Sequence, residues 1–148
     1  MDALETVSAA GVVLAMIVRA AIDKPGVSFF TPGDYSQQLA YMQHPAGKRI
    51  AAHDHKPVQR VVTRTLEVLF VRRGKLRVDF YDERRSYVES RVLGAGDVIL
   101  LVAGGHGFEV LEAVEMFEVK QGPFAGAEDK APIAAVAAEA VRIGGGAR

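Results

Sequence analysis

The sequence predicts an all-β sandwich or barrel, and three observations support this. Short apolar runs recur at intervals of about 8 to 12 residues, a spacing typical of such folds. Clusters of Gly, Pro and Asp separate the runs, and no fixed-period repeat is visible. A chain of 148 residues with 49% apolar content is large enough for one domain with a sizeable core.

The composition excludes several classes of partner. Lys and Arg total 18, as do Asp and Glu, so no global field favours nucleic acid or an anionic membrane. The absence of Cys excludes a disulfide framework and a thiol nucleophile. Residues 9–18 are too few for a membrane span, which needs roughly 18 apolar residues. Asp2 and Glu5 stand where a signal peptide would be basic. We therefore expect a cytoplasmic protein with a small-molecule partner and no membrane contact.

The N-terminal segment divides into a predicted helix and a predicted strand. Asp2 and Glu5 have the spacing of a capping box, which predicts a short helix over residues 3–9 that ends before Gly11. Residues 12–20 are rich in Val and Ile and predict a buried strand, although their Ala and Leu content leaves a helix open.

Short strands bounded by turns follow. Pro and Gly mark turns at residues 23–26, 32–34 and 45–47. Between and after these turns we predict strands over residues 27–31 and 37–44, and a third strand that carries His53 and His55.

The central strands are predicted from alternation. In residues 61–71, Glu67 shares a face with Leu69 and Val71. Arg73 and Gly74 predict a tight hairpin turn into a half-buried strand over residues 75–81.

The last predicted elements are strands and a tail. We predict strands over residues 87–93 and 98–102, a strand that begins at His106, a turn at Glu112 and Ala113, and a final strand over residues 115–120. The Ala content of residues 133–143 is compatible with a helix, and residues 144–146 are all Gly and indicate a flexible end.

Four side chains suggest a metal site. His53 and His55 are two residues apart, so on a strand both imidazoles project from one side. Glu67 opens an apolar run, where a buried carboxylate needs a compensating cation. His106 adds a third imidazole at the start of a strand. Three nitrogens and one carboxylate predict a divalent metal ion. The alternative is that Glu67 forms a structural ion pair with Arg64 or Arg77.

This pattern resembles the cupin superfamily. The first cupin motif corresponds to Gly47, His53, His55, Glu67 and Gly74, although 11 residues separate His55 from Glu67, more than in the motif. The second motif corresponds to Gly96, Gly104 and His106, with Val102 in place of a Pro. The wider pattern is similar to a subgroup of bacterial cupin-domain proteins that we associate with surface-polysaccharide and nucleotide-sugar pathways.

The resemblance implies a jelly-roll β-barrel, or double-stranded β-helix, which the short N-terminal helix predicted above would precede. It covers residues 47–121 within a predicted domain 1–124, followed by an Ala/Gly-rich tail 125–148. It implies one divalent metal ion, Mn, Fe, Ni or Zn, held by His53, His55, Glu67 and His106. It also implies a homodimer, for which the apolar strand over residues 12–20 is the candidate to pair across the interface.

The function that we expect is metal-dependent isomerisation, epimerisation or oxygenation of a small oxygenated metabolite or sugar derivative. Tyr41 and Glu109 are the candidates for a catalytic side chain, and neither is supported beyond its place on a predicted strand. The alternative is a non-catalytic module that binds a metal or a small ligand and serves a carbohydrate pathway as an accessory.

Overall fold

The computed structural model describes residues 3–145, and its regular structure is almost all β. The chain forms two compact units. We call Met1–Ile22 together with Arg64–Arg148 the sheet unit and Asp23–Thr63 the hairpin unit. The all-β class is confirmed.

The sheet unit contains a six-stranded antiparallel sheet. Its strands are β1 (Leu4–Ala9), β2 (Val12–Val18), β5 (Glu67–Tyr81), β6 (Tyr87–Gly94), β7 (Val98–Leu101) and β8 (Gly105–Lys120). The hairpin unit contains a separate two-stranded sheet of β3 (Gly26–Phe29) and β4 (Ala40–Gln43).

The long strand β5 organises the sheet. The order is β1-β2-β7-β5-β6, and β8 pairs with β5 as well. β7 pairs with the first residues of β5, from Glu67 to Phe70, and β6 pairs with its second half, from Lys75 to Tyr81. β8 follows β5 along its whole length. One edge of β5 is therefore shared by β7 and β6, and the other belongs to β8.

The ribbon of β5 and β8 is strongly curled. Glu67 pairs with Lys120 at one end of this ribbon, and Phe80 pairs with His106 near the other end. In a straight strand, residues 67 and 80 would lie about 40 Å apart. The imidazole of His106 nevertheless lies 3.2 Å from the carboxylate of Glu67. The ribbon must bend back on itself, and the register shifts between Val71 and Leu76 give it the bulges that allow such a bend.

The core lies on one face of this curled sheet. β5 contributes Leu69, Val71, Leu76, Val78 and Phe80, all at most 1% exposed. Side chains of β1, β2, β6 and β7 complete the cluster, so every member belongs to the sheet unit. This is the alternation that the sequence predicts for residues 75–81.

The predicted N-terminal helix is wrong. Residues 4–9 form β1, which pairs with β2 through a two-residue turn. Both turn residues, Ala10 and Gly11, have positive φ angles of 49° and 78°, as a type I′ hairpin turn requires. Sheet pairing and burial of Val7 therefore override the capping pattern, whose Asp2 lies outside the described residues. The strand predicted over residues 12–20 is confirmed as β2.

Two predicted turns are also wrong. β5 continues through Arg73 and Gly74, and β8 continues through Glu112 and Ala113. Gly74 has a φ of 84°, and a Cβ at this position would overlap the carbonyl oxygen of Ala113. The two turn-like sequences therefore face each other as a bulge within one long ribbon.

The strand predicted around His53 and His55 is absent, since residues 48–63 have no regular structure. No strand in the described part of the chain pairs with this segment, so the same-side argument for the two imidazoles loses its basis. The helix expected in residues 133–143 is reduced to a 3-10 turn at Ala138–Ala140. Its neighbours are tied to β5 and β6 instead. Within residues 3–145 there is no helix of the length and apolarity that a membrane crossing requires.

Candidate functional site

The centre of the candidate site is a contact between Glu67 and His106. Nε2 of His106 lies 3.2 Å from Oε2 of Glu67, and Nζ of Lys120 lies 3.0 Å from Oε1 of the same carboxylate. Lys120 also contacts Glu118 at 3.1 Å. The curl of the ribbon creates this cluster, because it brings the two ends of β5 and β8 together.

The cluster holds Glu67 ionised. The hydrogen bond from His106 and then that from Lys120 lower the pKa of Glu67 from 4.5 to about 2, against the opposing effect of burial. Glu67 is 7% exposed, so its charge faces protein groups and the adjoining cavity. The predicted ion pair of Glu67 with Arg64 or Arg77 is wrong in its partner, since Arg64 contacts Glu83 and Arg77 contacts Asp79.

A cavity of about 890 Å³ adjoins this cluster within the sheet unit. Glu67 and His106 both line it. The other contributions come from the far end of β5, the turn after β5, the start of β8 and the C-terminal segment, and include Asp79, Tyr81, Phe108, Lys130 and Ile133. The volume falls in the range of about 300 to 1,000 Å³ that is usual for small-molecule sites.

Asp79 gives the cavity a second fixed carboxylate. It receives two hydrogen bonds from the guanidinium of Arg77, at 2.8 and 3.0 Å, and one from the hydroxyl of Ser90 at 2.5 Å. Burial opposes ionisation, yet the hydrogen bonds from Arg77 and Ser90 leave the pKa of Asp79 below its usual range. Asp79 is therefore a negative group whose position is set by its neighbours.

The C-terminal segment is part of the site, which the sequence did not predict. Residues 129–133 and Ala135 supply one wall of the cavity. The hydroxyl of Tyr81 accepts a hydrogen bond from the amide of Val136, and the hydroxyl of Tyr87 accepts one from the amide of Arg142, each at 2.9 Å. Ile133 packs against Gly105, and a Cβ added to Gly105 would overlap Cδ1 of Ile133. The aromatic residues of β5 and β6 thus hold the tail in place.

Lys120 was missed as well. Its side chain matters because β8 pairs it with Glu67, and register between distant strands cannot be deduced from local alternation. The only local indication is that Glu118 and Lys120 are two apart and share a face of the predicted last strand.

The remaining predicted site residues are placed differently. His53 and His55 lie in the hairpin unit, both exposed, with ring centroids 5.3 Å apart and an interplanar angle of 75°. Tyr41 is half-buried on β4 of the same unit. Glu109 lies on β8, where it contacts Arg77 at 2.5 Å and does not line the cavity.

The metal site remains a prediction. The structure brings together one imidazole and the carboxylate of the predicted set. Among residues 3–145 no group of three or more His, Asp or Glu side chains is arranged to hold a metal ion. The fit of a metal to the pair can still be tested by geometry. Two ligand atoms about 2.0 to 2.2 Å from one ion, at a right angle, lie about 3 Å apart. The 3.2 Å between His106 and Glu67 is compatible with this separation and equally with the hydrogen bond that the two side chains form without a metal.

Comparisons with known proteins do not identify a family for this chain. No protein-family model, no curated protein and no solved structure matches the chain.

Proposed function

We propose that this protein binds a small oxygenated metabolite, such as a sugar derivative, in the cavity of the sheet unit, and that a divalent metal ion takes part. Glu67 and His106 are two of the metal ligands in this proposal, and His53 and His55 supply the other two. The observation that carries it is the 3.2 Å contact between Glu67 and His106 at the cavity wall.

The donor set suits a divalent cation in its chemistry as well as in its spacing. Neutral imidazole nitrogen with an ionised carboxylate is a combination that Mn, Fe, Ni and Zn all accept. Glu67 is ionised because its pKa is about 2, so its charge is available at neutral pH. A bound metal of this kind polarises a carbonyl group or lowers the pKa of a water molecule, which would suit isomerisation, epimerisation or oxygenation.

The protein side chains have separate roles in this proposal. Lys120 contacts Oε1 of Glu67 and so holds the carboxylate in one orientation, in which Oε2 faces His106. Asp79 is a hydrogen-bond acceptor for hydroxyl groups of a ligand. Phe108 offers an apolar surface beside the imidazole, with its ring centroid 5.2 Å from that of His106.

A second function, metal-free binding of a polar ligand, is favoured by one observation. Lys120 already places a cation 3.0 Å from the carboxylate of Glu67, so this buried charge is compensated without a metal. In that case Glu67 and His106, which line the cavity, would recognise a ligand directly, while Lys120 would hold the Glu67 carboxylate in position from outside the cavity lining. The protein would then be a non-catalytic module that serves a carbohydrate pathway as an accessory.

Elemental analysis separates the two functions. We expect protein reconstituted with Mn, Fe, Ni or Zn and then desalted to retain about one ion per chain. Glu67→Gln and His106→Gln should lose that ion, since each removes a ligand. Glu118→Gln is the matched control, because Glu118 also contacts Lys120 but is not a proposed ligand. His53→Gln should reduce retention too.

Equal metal content in all variants would refute the metal site. The second function is then tested by thermal shift, which monitors the binding of free sugars and nucleotide sugars to metal-depleted protein. In that test we expect Lys120→Met to weaken any binding that Glu118→Gln leaves unchanged. Turnover of a bound sugar only after metal addition would instead support an enzyme.

A further inference from the structure

The outer edge of β8 is long and has no pairing strand, although the bulge at Ala113 interrupts it near its middle. β8 spans 16 residues, from Gly105 to Lys120. Within residues 3–145 its pairing partner is β5 alone, so its second edge presents free backbone donors and acceptors along the strand. Exposed edges of this kind pair with further strands unless charge, Pro or strong distortion protects them.

Apolar side chains are exposed on both faces of β8. Phe108 and Val110 stand opposite Val78 and Leu76 of the core face, yet they are 41% and 57% exposed. On the other face Phe117 is 60% exposed and stacks on Phe70 at a centroid distance of 6.5 Å. A partner packed onto one face would leave the other uncovered. A strand added along the edge covers both, since it continues the two faces of the sheet.

The charges of β8 oppose such a contact only weakly. The strand carries four acidic side chains, and each is paired with a cation of the same chain. Glu109 contacts Arg77, Glu112 contacts Lys75, Glu115 contacts Arg73, and Glu118 contacts Lys120. Arg77 and Lys120 also pair with Asp79 and Glu67, so the acidic row is neutralised in part. Two copies of the strand therefore meet with less repulsion than four unpaired carboxylates would cause.

The occupant that fits this edge is a second copy of the chain. A strand paired antiparallel with its own copy about a two-fold axis presents the same side chains to itself, and two-fold dimers are the commonest oligomers. The exposed apolar side chains of β8, with Phe70, present roughly 500 to 600 Å² per copy in total, divided between the two faces of the sheet. A copy paired along the edge covers part of both sets, so the interface is smaller than the ~800 Å² per partner of a standard one, which suits a dimer that dissociates at micromolar concentrations.

The opposite end of the sheet is a weaker candidate. β1 has 6 residues and pairs with β2, and its Glu5 is held in ion pairs with Arg19 and Arg91. β2, which the sequence suggested for a dimer contact, is flanked by β1 and β7, so both of its edges are occupied. We propose that two copies of this protein associate through the outer edge of β8, as one continuous antiparallel sheet across a two-fold axis.

Sedimentation or light scattering of the full chain from about 1 to 200 μM tests this. We expect a mass of twice 15.9 kDa at high concentration. Phe117→Lys and Val110→Lys, one on each face of β8, should each raise the dissociation constant at least tenfold. Phe124→Lys is the matched control, because Phe124 is 90% exposed but lies beyond β8, and it should leave the dimer unchanged. Circular dichroism confirms that each variant is folded.

A single-cysteine test is independent of these substitutions, because the chain has no Cys. Ala113 lies near the middle of β8, so Ala113→Cys should form a disulfide dimer under mild oxidation, whereas Ala127→Cys should not. A monomer at all concentrations would overturn the proposal. So would a dimer that both Lys variants leave intact, or a disulfide dimer that forms in the Ala127→Cys variant alone. A monomer that binds lipid vesicles or another protein at β8 would assign the edge to a different occupant and refute it too.

Discussion

Glu67 begins β5 and accepts hydrogen bonds from an imidazole and an ammonium group. Its pKa of about 2 in the folded state lies below its ordinary value of 4.5. The stabilisation from this shift is complete above pH 4.5 and disappears as the pH falls toward 2, because the folded state then binds the proton that the unfolded state already holds. The shift amounts to about 3 kcal/mol at most.

We therefore expect Glu67→Gln to destabilise the metal-free protein most at pH 6 to 7. The difference in unfolding free energy from the wild type should shrink steadily as the pH falls from about 5 toward 2, where Glu67 itself is neutral. Urea unfolding in the presence of a chelator measures it. Glu83→Gln, which breaks the exposed pair with Arg64, is the control and should change stability by less than about 1 kcal/mol. A constant difference at every pH would contradict the assignment.

Asp97 is a second buried carboxylate, but its role is structural. It is 0% exposed, and it accepts hydrogen bonds from the guanidinium of Arg19 and from the amides of Ala20 and Gly94, each at 2.9 Å. These contacts fasten the end of β2 to the turn between β6 and β7. Asn has one acceptor oxygen where Asp97 offers two, so one of these buried donors would lose its partner, and Arg19 would keep Glu5 alone as its carboxylate partner.

For that reason Asp97→Asn should lower the unfolding free energy by about 3 to 5 kcal/mol, measured by thermal or urea denaturation at pH 7. Glu83→Gln is again the control, because it removes an ion pair with Arg64 whose two side chains are each 53% exposed. A loss for Asp97→Asn as small as that of the control would show that the network does not stabilise the sheet.

At the scale of elements, the ribbon of β5 and β8 depends on a close approach at its bulge. Gly74 has a φ of 84° and leaves no room for a Cβ against Ala113. Gly47 has nearly the same φ, 82°, but nothing lies within 4 Å of its Cβ position. An L-residue would be strained by about 1 to 2 kcal/mol at either position, but only at Gly74 would its Cβ also collide with the backbone of Ala113.

We predict that Gly74→Ala destabilises the protein by several kcal/mol, whereas Gly47→Ala costs only about 1 to 2 kcal/mol. Because the dihedral strain is similar in the two variants, the difference between their losses of unfolding free energy measures the collision of the Gly74 Cβ with Ala113. If Gly74→Ala also displaces the ends of the ribbon, the Glu67 and His106 pair should separate, and the pH dependence expected for Glu67 should weaken. Equal losses for the two variants would show that the close approach is absent.

The strand ribbon also shows what sequence could and could not predict. Alternation places Leu76, Val78 and Phe80 correctly inward, because period two is a local property. The same local pattern predicts a hairpin at Arg73 and Gly74, because bulges and turns use similar residues and the sequence does not show which strand is the partner. Glu67 and His106, two of the four side chains that the sequence groups into a metal site, lie 3.2 Å apart, and their role as metal ligands stays a prediction. Lys120 is not among the predicted side chains, because its role depends on a register between distant strands.

At the scale of the whole molecule, the chain order shows what the hairpin unit connects. β2 and β5 are both antiparallel to β7 and occupy its two edges, so they run parallel to each other about 10 Å apart. Val18 is level with Phe70, since both pair with Val98. The chain must therefore cross back along the sheet between β2 and β5, as every connection between parallel strands does.

The crossover itself needs far fewer residues than the hairpin unit supplies. The core cluster draws all its members from the sheet unit. A Gly/Ser linker of about 20 residues has an r.m.s. length of about 25 Å, enough to replace residues 24–62. We expect the resulting variant to keep a cooperative thermal transition and the far-UV spectrum of a β-sheet. Failure to fold would show that the sheet unit depends on the hairpin unit.

The same replacement tests the four-ligand hypothesis without altering Glu67 or His106. It removes His53 and His55 together, so a site that needs all four side chains should lose its metal ion, while a metal-free cavity should keep its affinity for a polar ligand. Elemental analysis of the folded variant, beside full-length His53→Gln and His55→Gln, measures this. Full metal retention after the replacement would mean that the sheet unit alone holds the ion, and that the two exposed imidazoles have no part in it.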